Sequence, residues 1–171
     1  VESYEQARDL RLLLNCSPRD QEMVESLLAI AYERNGQWGE ALGCYQHVLK
    51  VRKGLFGGAS VEVGNLYVSM GNLHRKTGDL GQSLGWNKRA VAIYQQLCDN
   101  GNVKGKDVDG NGTKNFHTHR HLIGSLQNQG ALYVQMKEVH RAIASYLTVI
   151  EKQATFRGGD HPDVASTLNI L

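Results

Sequence analysis

Three stretches of this 171-residue chain carry one residue pattern in one register: Glu25-x2-Leu28-Ala29-x2-Tyr32, Tyr67-x2-Met70-Gly71-x2-His74 and Leu126-x2-Gln129-Gly130-x2-Tyr133. Nine positions after each comes a second signature, Ala41-x3-Tyr45, Ser83-x3-Asn87 and Ala142-x3-Tyr146. Residues three, four and seven apart share one face of a helix, so each first stretch reads as an amphipathic helix with large residues around a small one. The small residue (Ala29, Gly71 or Gly130) lets a second backbone come close. On the second helix Ala41, Ser83 and Ala142 give room for a large side chain of the first. Asn35-Gly36 and Thr77-Gly78-Asp79 between the helices are good C-cap and turn chemistry, whereas the third turn, Met136-Lys137, lacks a glycine and is the least firmly specified. The pattern predicts helices over 21–35, 38–55, 61–77, 80–98, 117–136 and 139–156.

This alternation of small and large residues, W-x2-L-G-x2-Y followed by A-x3-F, resembles the tetratricopeptide repeat family. The resemblance implies an all-α, right-handed superhelical stack of antiparallel helix pairs. The repeats would span 22–55, 64–97 and 123–156. Ala41 and Ser83 stand 42 positions apart, whereas the commonest period of the family is about 34, so the second helix should be longer than usual by about two turns. Lys53, Gln95 and Ala154 occupy the position where such repeats usually close with proline. The segment from Gly158-Gly159-Asp160-His161-Pro162-Asp163-Val164-Ala165 to Leu168-Asn169 looks like the repeat junction of kinesin light chain-type arrays, which share the 42-residue period. Gly57-Gly58-Ala59-Ser60-Val61-Glu62-Val63 at the first junction departs from it, having neither His nor Pro.

From Ser83 to Ala142 the spacing is longer by 17 residues, the length of segment 99–115, which holds four glycines and no aromatic residue. It is expected to be an inserted polar loop, unable to bury itself. Tyr4-x2-Ala7-x2-Leu10 matches Tyr45-x2-Val48-x2-Val51, so residues 1–14 are expected to be the tail helix of a preceding repeat, and 162–171 the start of a further one. The chain is accordingly expected to be part of a longer array, with neighbouring repeats among its partners.

A net charge of +2 and the lack of any Lys/Arg block argue against nucleic acid, and no run approaches a membrane span. Cys16, Cys44 and Cys98 are odd in number and widely spaced on helix-like segments, as expected of reduced thiols in an intracellular protein. Asp107-Val108-Asp109-Gly110-Asn111-Gly112 fits the first half of a calcium loop, but its twelfth position is Thr118 rather than a bidentate Glu, so a plain polar loop is preferred. Asn111-Gly112-Thr113 is also a glycosylation sequon. His117 and His121 share a helix face, with His119 between them, yet no further ligand stands at a suitable spacing; an exposed helix start, open to an acidic partner, is preferred over a metal. His74 reads as a hydrogen-bonded core residue, His161 as a junction stabiliser, and Trp38 and Trp86 as packing between hairpins. No nucleophile–base pair or phosphate loop is present, so neither an enzyme nor a cofactor is expected.

The stripe of each first helix opposite its core residues would line the concave surface: Ser26, Ile30, Glu33 and Arg34; Asn65, Ser69, Asn72, Arg75 and Lys76; and Gln127, Asn128, Ala131 and Gln135. Amides there could bond an extended peptide backbone, and Arg34, Arg75 and Lys76 could pair with acids. Resemblance to kinesin light chains implies acidic, aromatic-containing cargo peptides. Two function classes stay open: a cytoplasmic adaptor that holds a partner segment in its groove, and a structural subunit of a cytoskeletal or ciliary assembly that uses its edges and inserted loop.

Overall fold

In the computed structural model, residues 9, 17–103, 113–157 and 162–169 are described. They form seven helices among these residues: α1 (Pro18–Arg34), α2 (Trp38–Phe56), α3 (Val61–Lys76), α4 (Leu80–Val103), α5 (Thr113–Gln135), α6 (Val139–Arg157) and α7 (Pro162–Leu168). Short polar side chains set the starts. The Ser17 hydroxyl accepts from the Asp20 amide with Pro18 in the first turn, and Ser60 accepts from the Val63 amide. Asp79 Oδ1 takes the amide of Gln82 at 3.0 Å ahead of α4.

The turns inside the three hairpins share one geometry. Gly36 and Gly78 adopt φ of +75° and +84°, and Lys137 takes the same left-handed conformation at +61°. At each turn the amide three residues past the helix end returns to a carbonyl of its last turn: Gln37 to Tyr32, Asp79 to His74 and Glu138 to Tyr133. The turn without a glycine therefore closes like the others, with a lysine held in a backbone region that glycine favours.

Helices pair as α1/α2, α3/α4 and α5/α6, with further packing of α2 on α3, α4 on α5 and α6 on α7. One buried cluster runs through the stack from Leu28, Ala29 and Tyr32 through Met70 and Tyr94 to Leu122 and Val149; a smaller one joins Leu84 with Leu132, Tyr133 and Ala142. The small positions are buried as the pattern requires. A Cβ on Gly130 would lie 2.8 Å from the Tyr146 ring, and one on Gly71 would lie 3.2 Å from the Ser83 carbonyl. This is an all-α tetratricopeptide solenoid.

Several expectations need correction. The segment read as a loop over 99–115 is helical at both ends, since residues 99–103 end α4 and 113–115 begin α5; 104–112 lie outside the described residues. Gln95 Nε2 donates to Asp99 Oδ1 at 2.8 Å, one local contact in the extension of α4. Trp38 does not fill an inter-hairpin space but sits exposed at the start of α2. Trp86 does pack, 5.4 Å from the Tyr67 ring with Arg89 over its face. Cys44 and Cys98 are buried free thiols, and burial pushes the Cys98 thiol up to about 11; Cys16 and His161 lie outside the described residues. No helix among the described residues is long and apolar enough to cross a membrane.

Candidate partner-binding face

Repeat register aligns Met23 with Asn65 and Gly124, Leu27 with Ser69 and Asn128, Ile30 with Asn72 and Ala131, and Arg34 with Lys76 and Gln135. On α3 these positions lie opposite the buried face formed by Val63, Leu66, Tyr67, Met70 and Leu73. The stripe changes character along the stack. Met23, Leu27 and Ile30 are 48 %, 41 % and 42 % exposed, so α1 presents an open apolar row where α3 and α5 present amides and small residues. The expected stripe holds Ile30 but not Met23 and Leu27, because apolar residues at helical spacing read as core rather than as binding groups. Asn65 and Ser69, one period on, are the signal that finds them.

The expected site residues differ in availability. Arg34, Asn65, Arg75, Lys76, Asn128 and Gln135 are exposed, while Ser69 and Asn72 are half-buried. Ser69 Oγ donates to its own helix at the Asn65 carbonyl, 3.3 Å away. Lys76 is not a spare cation: its Nζ lies 2.7 Å from Glu33 Oε1 and ties α3 to α1. Glu33 is itself mostly buried and also accepts from the Tyr45 hydroxyl at 2.8 Å, so it is a structural acid rather than a groove residue. Burial, then that hydrogen bond, raises the Tyr45 pKa. Ser26 likewise turns inward to Glu22, which holds Arg52 of α2 at 2.8 Å; the same guanidinium reaches the Glu62 carbonyl of α3. These bonds clamp the first two hairpins together.

The junction between α3 and α5 is built differently. A cavity of about 510 Å³ opens there, lined by Asn65, Val68, Tyr94, Arg120, His121 and Asn128 among others. Tyr94 is fully buried, and its hydroxyl donates to Asn65 Oδ1 at 2.7 Å while its ring stacks on His121. Gly64 makes this possible, because a Cβ there would stand 2.6 Å from the Tyr94 ring. Burial, then the neighbouring His117 and Arg120, holds the His121 pKa below its usual value. The histidine cluster is thus partly a packing feature: His121 stacks on Tyr94, and His119 on Phe156 at 4.4 Å. Among the described residues no three His, Cys, Asp or Glu side chains are grouped to hold a metal ion. Asp107, Asp109 and Asn111 lie outside those residues. His74 is mostly buried, with Nδ1 3.9 Å from Asp79 Oδ2.

Residues 20–96 match a family model described as tetratricopeptide repeat. No curated protein sequence matches the chain. Among solved structures, BtubC (BKLC) from P. vanneervenii is similar over 97 % of this chain and 60 % of its own length, with 20 % identity and a TM-score of 0.67. A Podosopora anserina putative kinesin light chain with nearly identical TPR-like repeats is similar over 97 % of this chain and 71 % of its own, with 17 % identity and a TM-score of 0.69; a second crystal structure of it, carrying a single substitution, gives 0.68. The chain therefore spans about three fifths of the length of BtubC. The repeat register, the common turn geometry and the match over residues 20–96 agree on tetratricopeptide repeats in that stretch, and the chain shares the fold of these solved repeat arrays.

Proposed function

We propose that this array is a non-catalytic adaptor that binds a partner protein segment along the concave face of its first helices. Tetratricopeptide repeat proteins bind other proteins and are generally non-catalytic scaffolds. The observation that carries the reading is the exposed row Met23, Leu27 and Ile30, in register with Asn65, Ser69 and Asn72. These side chains leave the core untouched, so the face can be specialised without cost to the stack. An apolar end and an amide- and arginine-bearing end suit a segment with hydrophobic side chains at one end and acidic ones at the other. Arg34, Arg75, Asn128 and Gln135 complete the polar part. A cytoplasmic, cytoskeleton-associated setting is the natural extension of the kinesin light chain likeness.

The test is capture of the native partner followed by cross-linking mass spectrometry. Leu27→Asp with Arg75→Glu should reduce capture strongly at unchanged thermal stability, since both side chains are exposed; Lys76 is left alone because its loss would break the pair with Glu33. A second reading, the structural subunit of a cytoskeletal or ciliary assembly, has its own support. Val139, Ile143 and Leu147 form an exposed apolar row on α6, whereas the equivalent Leu42 and Leu84 are packed in the earlier repeats. Loss of capture in Ile143→Asp but not in the groove double variant would select that reading.

A further inference from the structure

We propose that the outer face of α6 is a homodimer seam, along which a second copy of this chain packs antiparallel about a two-fold axis. The seam is His140, Ala144, Leu147 and Glu151, spaced i, i+4, i+7 and i+11, so all four lie along one side of the helix. It goes beyond the adaptor reading and leaves the face of the first helices free.

Register across the three second helices supplies the first argument. Gly39, Gly43, Gln46 and Lys50 hold the four positions on α2, and Gly81, Gly85, Lys88 and Ala92 hold them on α4. All eight are exposed although a first helix follows each of these second helices, so exposure here marks the outer surface of the stack and not an uncovered end. Leu147 differs in this from Ile143, whose equivalents Leu42 and Leu84 pack inward. On the outer row α6 alone carries a large apolar side chain: Leu147 is 53 % exposed where α2 has Gln46 and α4 has Lys88. Rimmed by polar groups, it gains burial from a partner on that face.

Self-complementarity selects a second copy as that partner. A two-fold contact sets each residue opposite the one equally far beyond the axis. With the axis between Ser145 and Tyr146, Leu147 of one copy stands over Ala144 of the other, and His140 over Glu151. Each large side chain then meets a small one and each imidazole a carboxylate, twice over. A parallel pairing would set Glu151 against Glu151 and forfeit both matches. His140 and Glu151 are exposed and have no ion pair among the described residues, whereas Arg141 beside them is already paired with Glu138 at 2.7 Å. A hollow of about 490 Å³ lined by Glu138, Val139, His140 and Arg141 leaves room for Glu151 of the second copy beside the imidazole. A single helix pair buries less than the roughly 1,000 Å² of a stable interface, so the dimer is weak and fills at high concentration.

The test is sedimentation equilibrium of the full chain from about 10 µM to about 1 mM, where a monomer–dimer equilibrium is expected. Leu147→Lys should weaken association about tenfold or more, while Gln46→Lys, at the equivalent position of α2, should leave it unchanged. All the substituted side chains are exposed, and Leu147→Gln, which keeps a good helix former, serves as a second variant should the lysine disturb folding. His140→Glu and Glu151→Lys should each weaken association several-fold, because the axis makes every substitution count twice. Combined in one chain they exchange acid and base across the seam and should restore association to within about twofold of the starting chain. A chain that stays monomeric throughout, or that associates equally well as Leu147→Lys and Leu147→Gln, overturns the proposal. So does a combined variant no stronger than its two parents, since the antiparallel pairing would then be wrong. Partner capture does not enter this measurement, so failure of the seam and failure of the adaptor reading are told apart.

Discussion

At Lys137 the chain places an ordinary side chain where its two sister turns use glycine. A left-handed φ costs a residue with a Cβ about 1–2 kcal/mol, part of which glycine gives back through its freer unfolded state. Lys137→Gly should therefore raise stability by up to about 1 kcal/mol, read from the urea midpoint. Glycines inside the helices divide into two kinds. Gly43 faces open space, so Gly43→Ala should stabilise by up to about 1 kcal/mol through helix propensity. Gly64 faces the fixed Tyr94 ring at 2.6 Å, which is stacked and hydrogen-bonded and has nowhere to go. Gly64→Ala should therefore lose about 1–3 kcal/mol by overpacking, more than propensity returns. His121 adds a pH effect with a definite sign. Its folded pKa lies below the usual imidazole value, so the unfolded chain takes up the proton first. The contribution is intact above the usual value and is lost as pH falls through it. Urea midpoints should drop between about pH 7.5 and about pH 5.5, and His121→Gln should flatten that drop.

At the scale of elements, caps decide where helices begin, and they are legible in the sequence. Ser60 is nearly buried and accepts the Val63 amide, so Ser60→Ala should cost about 1 kcal/mol and fray the start of α3, which amide exchange at Val63 and Gly64 would report. The six central helices are readable because period, small positions and turn residues agree with one another. What is not readable has physical reasons. The extension of α4 to Val103 runs through Asp99, Asn100 and Gly101, whose propensities argue for a loop. Trp38 is expected inside because tryptophan is large and apolar, yet a position in the first turn of α2 has few neighbours to cover it. The candidate face is half legible. Arg75 and Asn128 stand exposed as expected, but Lys76 and Glu33 look alike in sequence as surface charges, and only their 2.7 Å contact shows that they are spent on each other. Arg120 carries no signal of its own in the sequence, where the three histidines around it are the residues that stand out.

Across the whole molecule the two junctions are unequal, and that should govern how the array comes apart. Stability of a solenoid is roughly the sum of its repeats and the interfaces between neighbours. The first junction is held by Arg52 bridging Glu22 and the Glu62 carbonyl and by Lys76 on Glu33. The second is held by apolar packing of α4 on α5, at whose centre Tyr94 reaches Asn65 of α3 and His121 of α5. Tyr94→Leu removes the hydrogen bond and the stacking while leaving an apolar residue in the core. It should therefore uncouple the third hairpin before it unfolds the first two. Hydrogen exchange on the full chain is the measurement: amides of α5 and α6 should lose protection several-fold more than those of α1 and α2. Arg52→Met should weaken α1 and α2 relative to α5 and α6. Equal loss along the whole stack in Tyr94→Leu would mean that the array unfolds as one cooperative unit and that its junctions do not act separately.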